Sequence, residues 1–159
     1  STRMTAANHS YYLRNCYLEN NLTQGRMELA GKKLDLSDVK IPIYNLATRE
    51  DHIAPARSVF TGSGHFGGEV EYVMAGSGHI AGVVNPPSLG KYQHWTGGKP
   101  VGDFEEWVAK ATENPGSWWP HWHAWIEKQN NERVPARKVG GRKLKPLGDA
   151  PGDYVRVRV

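Results

Sequence analysis

Residues 68–84 read GEVEYVMAGSGHIAGVV, and residues 41–60 read IPIYNLATREDHIAPARSVF. Together they decide the fold. IPIYNLAT, 41–48, is a short apolar run of the kind that forms a buried strand, with Ile41, Ile43, Tyr44 and Leu46 as its apolar positions. REDHIAP follows as a loop, and Pro55 can open a helix at its first turn. That helix runs through ARSVF and stops at Gly62. GEVEYVMAG, 68–76, is a second strand, and His79 lies just past its carboxyl end among glycines. Strand, helix, strand implies a parallel pair in an α/β sheet. Chemistry in open α/β sheets sits beyond the carboxyl ends of strands, where Asp51 and His79 both fall. The glycines are expected to free the His79 loop to bend over the sheet edge.

An aspartate after one strand and a histidine after the next is the acid and base part of a nucleophilic triad. The carboxylate fixes the imidazole tautomer, and the imidazole takes the nucleophile's proton. In α/β hydrolases the chain order is nucleophile, acid, histidine, and Asp51 before His79 fits it. The plainer alternative is a turn aspartate and a histidine satisfied by backbone. His52 lines the same cleft or is an ordinary loop residue. No Gly-x-Ser-x-Gly or Gly-x-Cys-x-Gly box occurs in residues 1–50. Cys16, in LRNCYLEN, reads as a half-buried helix cysteine rather than a nucleophile.

The 159 residues suffice for one domain with a modest core. The net charge of +4 comes without a nucleic-acid motif, so no nucleic-acid partner is expected. One cysteine excludes an internal disulfide and fits a reducing compartment. No apolar run is long enough to span a bilayer, and no signal peptide is recognised. The start at Ser1 hints at a piece of something longer, though removal of an initiator Met before Ser would look the same.

Residues 5–22 read as a helix, and RMELAGKKLDL around Gly31 as a small hairpin. DFEEWVAKAT reads as a helix with acidic residues in its first turn. SWWPHWHAWIEKQ reads as another, with Ser117 as N-cap and Trp118, Trp122 and Trp125 on one face. Five of the six tryptophans fall in residues 101–129, where packing of a helix onto the sheet is the first reading and a sugar-stacking surface the second. His121 and His123, two apart on a helix, point away from each other, so no metal is expected. The basic stretch from Glu132 ends in YVRVRV, whose alternation reads as an edge strand.

STRMTAANHSYYLRNCYLENNL, YNLATREDHIAP, GSGHIAGVVNPP, HWTGG and GSWWPHWHAWI together resemble the C-terminal part of class I polyhydroxyalkanoate synthases, from Ser1 to about Ile126 and more loosely to Val159. The resemblance implies the C-terminal portion of an α/β-hydrolase fold, its last parallel strands and helices, with a remnant of the cap subdomain. It implies three regions: 1–40 as the end of the cap, 41–130 as core with the Asp and His loops, and 131–159 as a basic tail. It also implies a Cys-His-Asp triad without a cofactor. Asp51 would be the catalytic aspartate, acting on the 3-hydroxyl with or through the histidine, and His79 the catalytic histidine. The implied substrate is an (R)-3-hydroxyacyl-CoA, joined to a growing polyester at a granule surface in the cytoplasm. The nucleophile region is absent from these residues, so the chain alone is expected to be inactive and to pair with itself or with the missing N-terminal part. The rival expectation is a polymer-binding or dimerisation module without catalysis.

Overall fold

The computed structural model describes residues 3–141 and 143–158. The chain divides into two units, Ser1–Gln129 and Asn130–Val159. The first has mixed α/β architecture. Helix α1 (Ala6–Tyr12) is capped by Thr5, whose hydroxyl accepts from the Asn8 amide, and continues as a π-helical turn, Leu13–Leu18, that carries Cys16. Leu13, Tyr17 and Leu18 remain exposed. β1 (Glu28–Leu29) and β2 (Lys32–Lys33) form an antiparallel hairpin whose turn places Ala30 and Gly31 at positive φ.

β3 (Ile43–Thr48) and β4 (Val70–Ala75) pair in parallel, joined by α2 (Ala56–Ser63). Their register sets Ile43 beside Val70 and Thr48 beside Ala75, so the two strands end level. Two further strands follow: β5 (Gln93–Thr96) and β6 (Thr112–Pro115), with α3 (Phe104–Lys110) between them and α4 (Trp119–Gln129) after. The sheet order is β3-β4-β5-β6, with the last two pairings antiparallel. β3 is therefore an edge strand, while β4 is paired on both sides. Asp103 caps α3 by accepting from the Glu105 amide, and Glu105 and Glu106 lie at its positive end.

Strand alternation gives the sheet two unlike faces. Ala47, Tyr72, Met74 and Trp95 turn towards α2 and α3 and form the core with Phe60 and Trp107. Tyr72 is wholly buried, and its hydroxyl donates to the Ala56 carbonyl at 2.9 Å. Its ring meets Trp107 edge-on at 4.8 Å and Phe60 at 5.2 Å. Trp107 fits because Gly97 has no side chain: a Cβ there would stand 2.9 Å from the indole. On the opposite face Tyr44 meets Trp118 at 6.0 Å, Trp125 at 5.5 Å and His121 at 5.7 Å. So α4 does pack on the sheet, as its tryptophan spacing suggests, but it buries no residue completely. The buried indoles are Trp95 and Trp107 instead.

The second unit corrects one expectation. YVRVRV does not form a strand among the described residues: Tyr154–Arg156 is a 3-10 turn, and Val159 lies outside them. Val155 and Val157 stay exposed, as do Leu144, Leu147 and Tyr154. Alternation marks a strand only where one face has something to cover it. Sequence also gave no sign of β5 or β6. The α2 helix runs one residue past Gly62, to Ser63.

Trp107 sets a stability prediction. Its indole N–H is buried with no hydrogen-bond partner among the described residues. Trp107→Ala should cost about 3–5 kcal/mol in urea unfolding, because it leaves a large cavity. Trp107→Phe should cost clearly less, since it also removes an unsatisfied donor. Equal losses for the two variants would show that the donor's desolvation is immaterial.

Candidate active site

The level strand ends place two loops side by side. Arg49 N–H donates to the Ala75 carbonyl at 2.8 Å, and Glu50 N–H to that of Ser77 at 3.1 Å. These bonds carry the parallel ladder beyond the strands. Asp51 is the third residue past Thr48, and His79 the fourth past Ala75. Their side chains meet: His79 Nδ1 lies 2.8 Å from Asp51 Oδ2. The aspartate side chain is 7% exposed and the imidazole 43%, so the pair has a buried end and an open one.

Every acceptor position of Asp51 is used. Oδ1 accepts from the amides of Ile53 at 2.8 Å and Ala54 at 2.9 Å. Oδ2 accepts from His79 and, at 3.3 Å, from the Thr48 hydroxyl. The Ala54 amide above all, and then the His79 ring, hold the Asp51 carboxyl well below the usual carboxylate range. An ionised carboxylate can only accept, so the proton between the pair sits on Nδ1. That leaves Nε2 as the basic atom of the neutral ring.

The glycines around His79 act differently from the expected loosening. The residue at positive φ is Ser77, at 71°, between Gly76 and Gly78. The glycine that the packing needs is Gly82. A Cβ there would stand 2.6 Å from Thr48 Cγ2 and 2.7 Å from the Gly76 carbonyl oxygen. Residues 78–84 form a tight turn, with Gly82 N–H donating to Gly78 at 2.9 Å and Val84 N–H to Ile80 at 2.8 Å. The loop is pressed against the end of β3, not freed.

His52 is not drawn into the pair. It is exposed, and its side chain makes no hydrogen bond, ion pair or ring contact among the described residues. A cleft of about 380 Å³ is lined by Asp51 itself together with Arg49, Pro55, Met74 and Phe104. Arg57 at its rim is paired with Glu105. Neither Cys16 nor any serine hydroxyl is hydrogen-bonded to His79 among the described residues. His121 and His123 diverge: His121 Nδ1 lies 3.0 Å from the Tyr44 hydroxyl, and His123 pairs with Glu127 on its own helix. Burial lowers the His121 and His94 pKa values and raises those of Tyr44 and Glu71. Thr48 and the Ile53 and Ala54 amides escaped the sequence reading. The short Asp-x-x-Ala-Pro turn was their only available signal.

A carboxylate-oriented imidazole at the tips of parallel strands is an arrangement that can hold and pass on a proton. No protein-family model matches the chain. Over 99% of its length it is 67% identical to the poly(3-hydroxyalkanoate) polymerase subunit PhaC of Rhizobium meliloti, of which it covers 26%. It is 63% identical to the poly(3-hydroxyalkanoate) polymerase of Methylorubrum extorquens, covering 26% of that protein. It is 34% identical to the polymerase subunit PhaC of Cupriavidus necator, covering 27%. The chain is thus similar along nearly its whole length to poly(3-hydroxyalkanoate) polymerases and spans about a quarter of the length of the curated relatives it matches.

The Asp51 environment fixes the sign of an acid effect. A carboxyl whose pKa is depressed by folding adds stability above its unfolded value, near 4, and that stability is lost as pH falls through the folded value. The Asp51 side-chain carboxyl carbon should therefore keep its ionised chemical shift at about pH 3, where an unperturbed aspartate is mostly protonated. The Asp51→Asn variant should lose stability above about pH 4 and converge on the parent in stronger acid.

Proposed function

We propose that this chain supplies the acid and base half of the active site of a poly(3-hydroxyalkanoate) polymerase. The reaction joins (R)-3-hydroxyacyl units from CoA thioesters into polyester and releases CoA. One observation carries the reading: the 2.8 Å contact between His79 and Asp51 at level strand tips. The identity with named polymerases supports it.

In this reading His79 Nε2 takes the proton of a cysteine thiol supplied from outside these 159 residues, which hold no Gly-x-Cys-x-Gly box. The thiolate attacks the thioester carbonyl, the C–S bond to CoA breaks, and the imidazolium returns its proton to the departing CoA sulfur. Chain extension needs a second deprotonation, of a 3-hydroxyl. Asp51 is poorly suited to perform it directly, because its four acceptor positions are filled and its basicity is depressed. The same Nε2 serves both steps, and Asp51 acts through the ring by holding its tautomer and stabilising its charged form. The surroundings proposed are an α/β-hydrolase core whose remaining strands continue from the β3 edge. The site of action is the surface of cytoplasmic polymer granules, with a second polymerase copy as partner. No helix among the described residues is long and apolar enough to cross a membrane.

A second, compatible role falls to residues 130–159. They expose Val134, Val139, Leu144 and Leu147 among lysines and arginines, a composition suited to adhesion on an apolar polyester surface.

The test is a chimera in which residues 1–159 replace the matching quarter of the Rhizobium meliloti polymerase. It should release CoA from 3-hydroxybutyryl-CoA, and His79→Ala or Asp51→Ala should cut kcat by roughly 10³-fold or more. The chain by itself should release none. An active chimera indifferent to both substitutions would overturn the acid and base reading. Turnover by the isolated chain that His79→Ala abolishes would overturn its dependence on an outside nucleophile.

A further inference from the structure

The turn that carries His79 ends in two carbonyls that no further helical turn can satisfy, those of Gly82 and Val83. Both are met from the start of α4 and the residue just before it. Trp118 Nε1 donates to Gly82 at 3.1 Å and to Val83 at 3.2 Å, and Trp119 Nε1 donates to Val83 at 3.0 Å. Adjacent indoles therefore converge on one short peptide segment, across 35 or 36 positions of sequence. On its other side the turn abuts Thr48, at the point where Gly82 permits contact. Thr48 in turn bonds Asp51. The His79 turn is thus gripped between the end of β3 and the head of α4.

The indoles are themselves held. Trp118 stacks on Tyr44 at 6.0 Å, and Ser117 accepts from the Trp119 amide at 3.1 Å, which fixes the entry of the helix. Trp122, one turn on, meets the Trp118 ring at 5.8 Å but donates to nothing in the loop. Packing alone would not require two N–H groups aimed at the same carbonyls.

We infer that Trp118 and Trp119 are positioning residues for His79: their indole N–H groups cap its turn and keep Nδ1 on Asp51. The inference rests on the proposed role of His79 as the base, but its test does not need turnover. In the unaltered chain, the Nε1 protons of Trp118 and Trp119 should exchange with solvent at least about tenfold more slowly than that of Trp122. The variant W118F/W119F keeps two aromatic rings and removes both donors. The imidazole 15N shifts of His79 should then move from the Nδ1–H form towards the Nε2–H form favoured by an unrestrained ring. W122F, a packing change of similar size, should leave those shifts in place. Equal exchange at all three indoles overturns the inference, whether or not the double variant folds. So does a folded W118F/W119F with unchanged His79 shifts. If these signatures hold while the chimera tolerates His79→Ala, the clamp stands and the catalytic reading falls.

Discussion

The parallel pairing of β3 with β4 fixes everything that follows. Thr48 lies opposite Ala75, and two loop amides extend the ladder to Ala75 and Ser77. A shift of one residue would turn Tyr72 and Met74 away from α2 and would offset the loops by over 3 Å. The dyad would then not close. The buried face enforces the register, because Tyr72 can reach the Ala56 carbonyl and the Trp107 ring from one alignment only. Core packing and site geometry are thus the same constraint seen at two ends of one strand pair.

The two faces of the sheet do different work. The face under α2 and α3 is a dense aromatic cluster, and it secures the strands. The face under α4 is half-buried and polar, with Tyr44, Glu71, His94 and His121 in contact or close approach. Burial disfavours the charged forms of Glu71, His94 and His121 alike, so this face favours neutral side chains. Its helix is held by ring contacts and directed hydrogen bonds rather than by deeply buried area. Those contacts give α4 a defined orientation, which the indole bonds to Gly82 and Val83 need.

Much of the first unit was legible because it is local. The run Ile43 to Leu46, Pro55 at a helix start and the run into Met74 each carry a signal within a few residues, and the crossover rule turns them into a parallel pair. The Asp51 and His79 positions followed from that topology. What stayed hidden is non-local. Gln93–Thr96 becomes a strand because β4 offers an edge, and Thr112–Pro115 because β5 then offers the next one, not because QHWT or TENP alternates. The Trp118 bond to Gly82 spans 36 positions and has no sequence period. YVRVRV is the opposite case: its alternation is clear, but among the described residues Tyr154–Arg156 forms a 3-10 turn. The glycines near His79 are plain in the sequence, but the task of Gly82, which lets two loops touch, depends on a contact with Thr48 that is remote in the chain.

The filled valences of Asp51 also bear on how the site divides its labour. A carboxylate with two amides on one oxygen, and a ring and a hydroxyl on the other, has no acceptor left for a substrate hydroxyl. To use it directly, the protein would have to break one of the four bonds that hold the carboxylate in place. Nε2, which takes no part in the Asp51 contact, has no such conflict. In the proposed polymerase one atom would therefore meet first a thiol and then an alcohol, and the two would have to take turns in the same place. Such a site depends on His79 staying fixed while its partners change. The grip of Thr48 on one side and two indoles on the other supplies that fixity within these residues.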